Sequence, residues 1–166
     1  MKKVLLICAV SMTFFGCKKT ETPAATATTA NNNFSCKVDG VVYNSASTAN
    51  LDGTLSAGQF TISAIDAANK LRLIMIRMSS STIDVKTFPV SEHPDGTNVT
   101  GYFTDTSKGL EYDSDDKHTA TDKVTITKLD KTAQTISGTF NFTLVDGSDE
   151  TKKGVFTEGT FTNVKW

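Results

Sequence analysis

From Phe34 to the end of the chain, apolar and polar side chains alternate with a period of two, in runs separated by turn dipeptides. Such alternation places successive side chains on opposite faces of an extended strand, one face buried and the other wet. The runs at 34–38 and 41–44 flank Asp39-Gly40, a pair that accepts positive φ and suits a type I′ hairpin turn. Residues 59–65 put Phe60, Ile62 and Ala64 on one face and Thr61 and Ser63 on the other. Residues 71–78 are apolar on both faces along their centre, the pattern of a central strand covered on both sides. Further strands are predicted over 82–87, closed by Phe88-Pro89, over 99–103 after the Pro94-Asp95-Gly96 turn, and over 123–129. Within 135–144, Ile136, Gly138, Phe140, Phe142 and Leu144 face inward against Thr135, Ser137, Thr139, Asn141 and Thr143. Asp146-Gly147 then turns the chain, and 155–166 closes it, with a bulge expected at Gly159. No stretch after residue 16 has helical periodicity. The prediction is an all-β antiparallel domain over 34–166, a β-sandwich or an up-and-down β-barrel, with a lipocalin-like barrel as the alternative.

The first sixteen residues follow another rule. Lys2 and Lys3 precede an apolar run from Val4 to Phe15, too short for a membrane-spanning helix, which needs ~20 residues, and of the length of a signal-peptide core. The run ends in Phe14-Phe15-Gly16-Cys17, which resembles the lipobox of bacterial lipoproteins, with Phe14 where Leu is common. The resemblance implies that residues 1–16 are a lipoprotein signal peptide and that Cys17 becomes a lipidated N-terminus, the protein's tie to the membrane. Cleavage after Ala25-Thr26-Ala27 would instead leave Lys18, Lys19 and Glu21 in a leader segment both too long and too charged. Residues 18–33 hold no aromatic and no large aliphatic side chain, so 17–33 reads as a lipidated, disordered linker reaching ~20–24 Å. Its opening, Cys17-Lys18-Lys19-Thr20-Glu21, resembles the charged export signal of Bacteroidetes surface lipoproteins. That implies the cell envelope, at the outer membrane, on its periplasmic or its exposed face.

Composition narrows the partners. The formal net charge is −1, and losing Lys2 and Lys3 with the leader takes it two units lower. Without a cluster of Lys and Arg to release counterions from a phosphate backbone, nucleic acid is not expected as a partner. Once Cys17 carries lipid and Cys8 leaves with the leader, Cys36 has no partner, so it is expected as a buried free thiol rather than part of a disulfide framework.

The densest polar stretch is Glu111-Tyr112-Asp113-Ser114-Asp115-Asp116-Lys117-His118. Asp113, Asp115, Asp116 and His118 are candidate ligands for Ca²⁺ or Zn²⁺, although the stretch lacks the glycine and distal glutamate of an EF-hand loop. The competing reading is a solvated loop between the 99–103 and 123–129 strands. His93, His118 and Cys36 fall short of a zinc set by count, and no nucleophile elbow supports a serine triad. No catalytic residue and no cofactor is expected. Trp166, Tyr43, Tyr102 and Tyr112 could stack against sugar rings or belong to the core.

The lipobox, the Phe34…Val38-Asp39-Gly40 opening and the closing Ile136-Ser137-Gly138-Thr139-Phe140-Asn141-Phe142…Thr157-Glu158-Gly159-Thr160-Phe161 resemble a family of small Bacteroidetes lipoproteins of unknown function. The resemblance implies no activity. The expectation is a membrane-anchored β-domain that binds an envelope protein or a glycan through loops around 91–98 and 105–121. The alternatives are a metal-dependent protein or enzyme using 111–118, and a carrier of a small apolar ligand. Cys17→Ala should move the protein from the membrane fraction to the soluble fraction, as fractionation and metabolic lipid labelling would show; an unlipidated wild type would refute the anchor.

Overall fold

The structure, a computed structural model, describes residues 32–45, 49–91, 98–114 and 121–166. Eleven strands run through them: β1 (Asn33–Val38), β2 (Val41–Ser45), β3 (Leu51–Ser56), β4 (Gln59–Ile65), β5 (Arg72–Ser79), β6 (Thr87–Pro89), β7 (Val99–Asp105), β8 (Leu110–Asp113), β9 (Lys123–Asp130), β10 (Thr135–Asp146) and β11 (Asp149–Lys165). Among the described residues there is no α-helix, only one 3₁₀ turn at Ser80–Thr82. The all-β antiparallel expectation holds.

The strands form one sheet in the order β2-β1-β11-β10-β8-β7-β5-β4-β3, with β9 beside β10 and β6 beside β9. The long strand β10 changes neighbours along its length: residues 135–141 pair with β9, whereas Val145 and Asp146 pair with β8. The sheet does not close, because its end strands β2 and β3 share no ladder. It nevertheless curls until the two ends meet. Ala67 N, just past β4, donates to Asn44 O of β2 at 2.7 Å, and the Tyr43 hydroxyl of β2 donates to Ala64 O of β4. The curl encloses a single core to which every strand contributes. All eight phenylalanines of the described chain lie in it, none more than 3% exposed.

The β10–β11 hairpin is the spine, and its register explains a sequence motif. Gly138-Thr139-Phe140 lies antiparallel to Gly159-Thr160-Phe161, so that Gly138 faces Phe161 and Phe140 faces Gly159. Each ring covers the glycine opposite. A Cβ on Gly138 would stand 2.5 Å from Phe161 Cζ, and one on Gly159 would stand 2.6 Å from Phe140 Cδ2. The two rings then stack on one another with centroids 6.4 Å apart. Phe140 also stacks on Phe142 at 5.0 Å and tilts against Phe34 of β1 at 5.1 Å, which ties the first strand to the hairpin.

Several predicted elements move. Asp39 and Gly40 do take positive φ, 51° and 78°, as a type I′ turn requires. The expected bulge near Gly159 sits one or two residues earlier: Phe140 pairs with Gly159 but Phe142 with Phe156, and Glu158 carries the left-handed φ of 53°. Residues 80–82 form the 3₁₀ turn, and the strand expected over 82–87 lies at Thr87–Pro89 instead, because Phe88 is the side chain that enters the core. Strand β5 is central in having β4 and β7 on either side, yet no second layer covers its outer face, where Arg77 is exposed. Strands β3 and β8 were not foreseen: β3 buries only Leu51 and Gly53, and β8 lies within the acidic stretch read as loop.

A Cβ on Gly138 would also meet the backbone oxygen of Thr125 on β9, so Gly138→Ala must shift strand β9 as well as Phe161 and should cost ~3 kcal/mol or more. The outward-facing Thr139→Ala should stay within about 0.5 kcal/mol of wild type. Urea unfolding midpoints of the two variants would check the contrast.

Candidate functional site

The two ends of the coiled sheet differ in chemistry. One end is closed by charge. Arg72, at the start of β5, places its Nη1 2.7 Å from Asp66 Oδ2 and its Nε 3.8 Å from Asp105 Oδ2, and both aspartates are buried. The guanidinium also lies over the Tyr43 ring at 5.1 Å and the Phe103 ring at 5.8 Å. The remaining carboxylate oxygens are engaged locally: Asp66 Oδ1 accepts from Ala68 N, and Asp105 Oδ1 from Ser107 N. A cation shared by two buried carboxylates ties β4, β5 and β7 together, and a recess of about 180 Å³ beside Arg72 and Asp105 is bordered by Val38, Val41, Lys108 and Leu110.

Cys36 lies close to this cluster and is buried, as expected. Burial pushes its thiol up to about 12, with Arg72 pulling the other way and Asp66 adding to the rise. The thiolate, which is the nucleophile, is therefore withheld at neutral pH. Burial also raises the Tyr43 phenol, with Asp66 adding to it.

The opposite end is open. A cavity of about 280 Å³ is lined by Leu55, Phe60, Ser80, Ser81, Ile83, Leu129, Lys131, Ile136 and Trp166. Phe60 and Ile136, both fully buried, form its floor, and the Trp166 ring stands edge-on to Phe60 with centroids 5.4 Å apart. Its walls are the half-buried Ile83, Leu129 and Trp166. Two turns frame the mouth. Ser80 N donates to Gly58 O at 2.8 Å, which holds the 3₁₀ turn against the β3–β4 hairpin. Across from it, Asp130 Oδ1 accepts from Thr132 N and Ala133 N at 3.0 and 2.8 Å, shaping the β9–β10 turn that carries Lys131. Trp166 N donates to Gln134 O of that turn at 3.1 Å, fixing the indole beside it. This volume falls just below the range of ligand pockets, ~300–1,000 Å³, and an apolar wall with a few polar groups at the rim is their usual composition.

The chain's N-terminal segment enters at the same end. Asn33 pairs with Thr162, and Asn32 borders a shallow recess together with Leu51, Asp52, Lys165 and Trp166.

The residues singled out from sequence do not assemble. Glu111 and Asp113 lie on strand β8, not on a loop, and Glu111 Oε1 accepts from the Tyr102 hydroxyl at 3.0 Å. Asp115, Asp116, His118 and His93 lie outside the described residues, as do 92–97 and 115–120 of the two loops. Among the described residues, no three His, Cys, Asp or Glu side chains are placed to hold a metal ion. The four aromatics part company: Tyr43 and Tyr112 are in the core, Tyr102 is on the outer face, and Trp166 lines the cavity. Sequence reasoning named Trp166 but missed Ile83, Leu129 and Lys131, which sit at strand ends and in turns, where alternation stops and no motif marks them.

A family model for a domain of unknown function, DUF6252, matches residues 30–165, which takes in all eleven strands. The chain belongs to the DUF6252 family. Neither the curated proteins nor the solved structures include a match to it. This DUF6252 chain thus carries an ion cluster at one end of its sheet and an apolar cavity at the other.

The raised thiol and phenol have a definite consequence for stability. The Cys36 thiol is neutral in the fold and ionises earlier when unfolded, so the stability it contributes is complete below about pH 9 and is lost as pH rises through about 12, and the raised Tyr43 phenol adds to the loss at high pH. Urea midpoints should fall across that window, and Cys36→Ala should flatten part of the fall. At pH 8 a thiol reagent should leave Cys36 unlabelled until denaturant is added.

Proposed function

We propose that this DUF6252 chain is a lipid-anchored protein of the bacterial cell envelope, held through Cys17, and that its β-domain is a binding module whose ligand site is the cavity beside Trp166. The carrying observation is the cavity itself. An apolar wall of Ile83, Leu129 and Trp166 opens to solvent over a floor of the buried Phe60 and Ile136. Burying that wall under a ligand gains ~25 cal/mol per Å² of apolar surface removed from water.

Two further points support the reading. The frame is held, one turn by a backbone hydrogen bond and the other by the Asp130 carboxylate, so little ordering entropy opposes binding. Strand β1 begins near the same end, and a flexible linker from Cys17 would leave the site accessible to envelope ligands. The lipobox and the charged segment after Cys17 favour the outer membrane. This reading is a small-ligand carrier or sensor rather than an enzyme: it asks for no nucleophile and no metal.

Trp166 is the only tryptophan of the chain, so its emission reports on the site directly. Titration with an uncharged single-chain probe such as decanol should blue-shift that emission and saturate. Leu129→Arg, which puts a charge at a half-buried position of the wall, should abolish saturation and lower the melting temperature while the variant still unfolds cooperatively. An emission that does not saturate in wild type, or that saturates equally in the variant, would remove the cavity from consideration.

A further inference from the structure

The outer face of the sheet carries a recess of about 470 Å³ that shares no residue with the cavity beside Trp166. It lies across β5, β7 and β8, where Met75, Tyr102 and Asp113 stand in one cross-strand row and Arg77 pairs with Thr100 in the next. The ladder between β7 and β8 ends at Tyr102 and Asp113, because Ser114 then turns back onto β7. Ser114 N donates to Gly101 O at 3.1 Å, and Ser114 Oγ accepts from Gly101 N at 2.9 Å. Tyr102 is left at the border of the recess, half-buried, with its hydroxyl donating to Glu111 Oε1 at 3.0 Å. A ring pinned in this way takes up a ligand with little further ordering.

The charged groups at this recess are of both signs. Arg77 on β5 and Asp113 on β8 are exposed and lie either side of β7, two strand spacings apart, roughly 10 Å. Arg77 makes no ion pair among the described residues, and its Nη2 lies 3.9 Å from Met75 Sδ. Glu111, the other carboxylate on the outer face of β8, accepts from Tyr102. A guanidinium only donates hydrogen bonds and a carboxylate only accepts them. A ligand of net charge is attracted by one of the two and repelled by the other. Hydroxyl groups satisfy both, since each one donates and accepts. The Tyr102 ring adds a second condition, C–H groups whose weakly positive hydrogens rest on its electron-rich face.

We infer that this recess binds an uncharged saccharide, with one sugar ring packed on Tyr102 and Met75 and its hydroxyls shared between Arg77 and Asp113. A sugar ring has C–H groups on its faces and hydroxyls around its edge, so it meets both conditions at once. The volume lies within the ~300–1,000 Å³ of ligand pockets, and the polar lining sets the recess apart from the apolar cavity. The site stands whether or not the cavity beside Trp166 holds a ligand. Arg77 and Asp113 are in contact with water, so their hydrogen bonds select the ligand more than they tighten it. Loss of the Tyr102 ring costs about three- to tenfold in affinity.

The test is titration calorimetry of the mature chain with maltohexaose, cellohexaose, xylohexaose and the anionic hexagalacturonate. The proteins compared are wild type, Tyr102→Ala, Tyr102→Phe, Arg77→Met and Leu129→Arg. Wild type should bind a neutral hexasaccharide more tightly than hexagalacturonate, with little change between low salt and about 1 M salt. Tyr102→Ala should weaken that binding about three- to tenfold, and Tyr102→Phe, which keeps the ring, should stay within about twofold of wild type. Arg77→Met should weaken it about threefold or more. Leu129→Arg, in the cavity wall, should bind the saccharide as wild type does while losing decanol, so the two sites are read separately. If no neutral hexasaccharide binds, if hexagalacturonate binds more tightly than all three, or if Tyr102→Ala binds as well as wild type, the saccharide assignment falls.

Discussion

Two phenylalanines and two glycines, crossed over one hairpin, set the architecture of this domain. Gly138 opposite Phe161 and Phe140 opposite Gly159 let two large rings occupy neighbouring inward positions of paired strands, which would collide if either partner had a side chain. A glycine in a strand normally weakens it, since it leaves backbone bare and contributes no packing. Here each bare stretch is roofed by the ring across from it, the arrangement known as aromatic rescue. The hairpin so stabilised supports nearly everything else: β1 runs along β11, β9 and β8 share β10, and Phe34, Phe142 and Phe156 continue the aromatic seam towards Phe103 and Tyr112.

The seam also explains why some of the fold can be read from the chain and some cannot. Strands β4, β10 and most of β11 alternate cleanly because one face meets the core and the other meets water, and their inward residues are the ones expected. The Asp39-Gly40 turn is legible because few residue pairs accept two positive φ values. Strand β3 leaves no such signal. Its inward positions are Leu51 and a glycine packed on the Lys165 backbone, so alternation of apolar side chains cannot reveal it. Strand β8 is hidden for a related reason: four residues long, it buries only Tyr112 and carries Glu111 and Asp113 outward, so a strand edge looks like an acidic loop. The cavity was least legible of all. It is assembled from the tips of β3, β4, β9, β10 and β11 and from the 3₁₀ turn, which only the curl of the sheet brings together.

The two ends of the domain show how the same core can be stoppered or left open. At the Arg72 end, aromatic rings and carboxylates pack around the guanidinium, and a salt-bridged cluster caps the core. At the Trp166 end no such stopper exists, and half-buried aliphatic side chains face solvent. An apolar surface left open on an otherwise well-sealed core is the kind of feature that marks a binding site.

The ladder between the first and last strands carries one more implication. Lys37 and Glu158, which bond at 2.6 Å, are 121 residues apart, and the final strand supplies partners to both β1 and β10. Contacts of such long sequence separation form slowly, because a large loop must close before any reward arrives. The nascent polypeptide consequently cannot assemble its interior until residues near 160 have been synthesised.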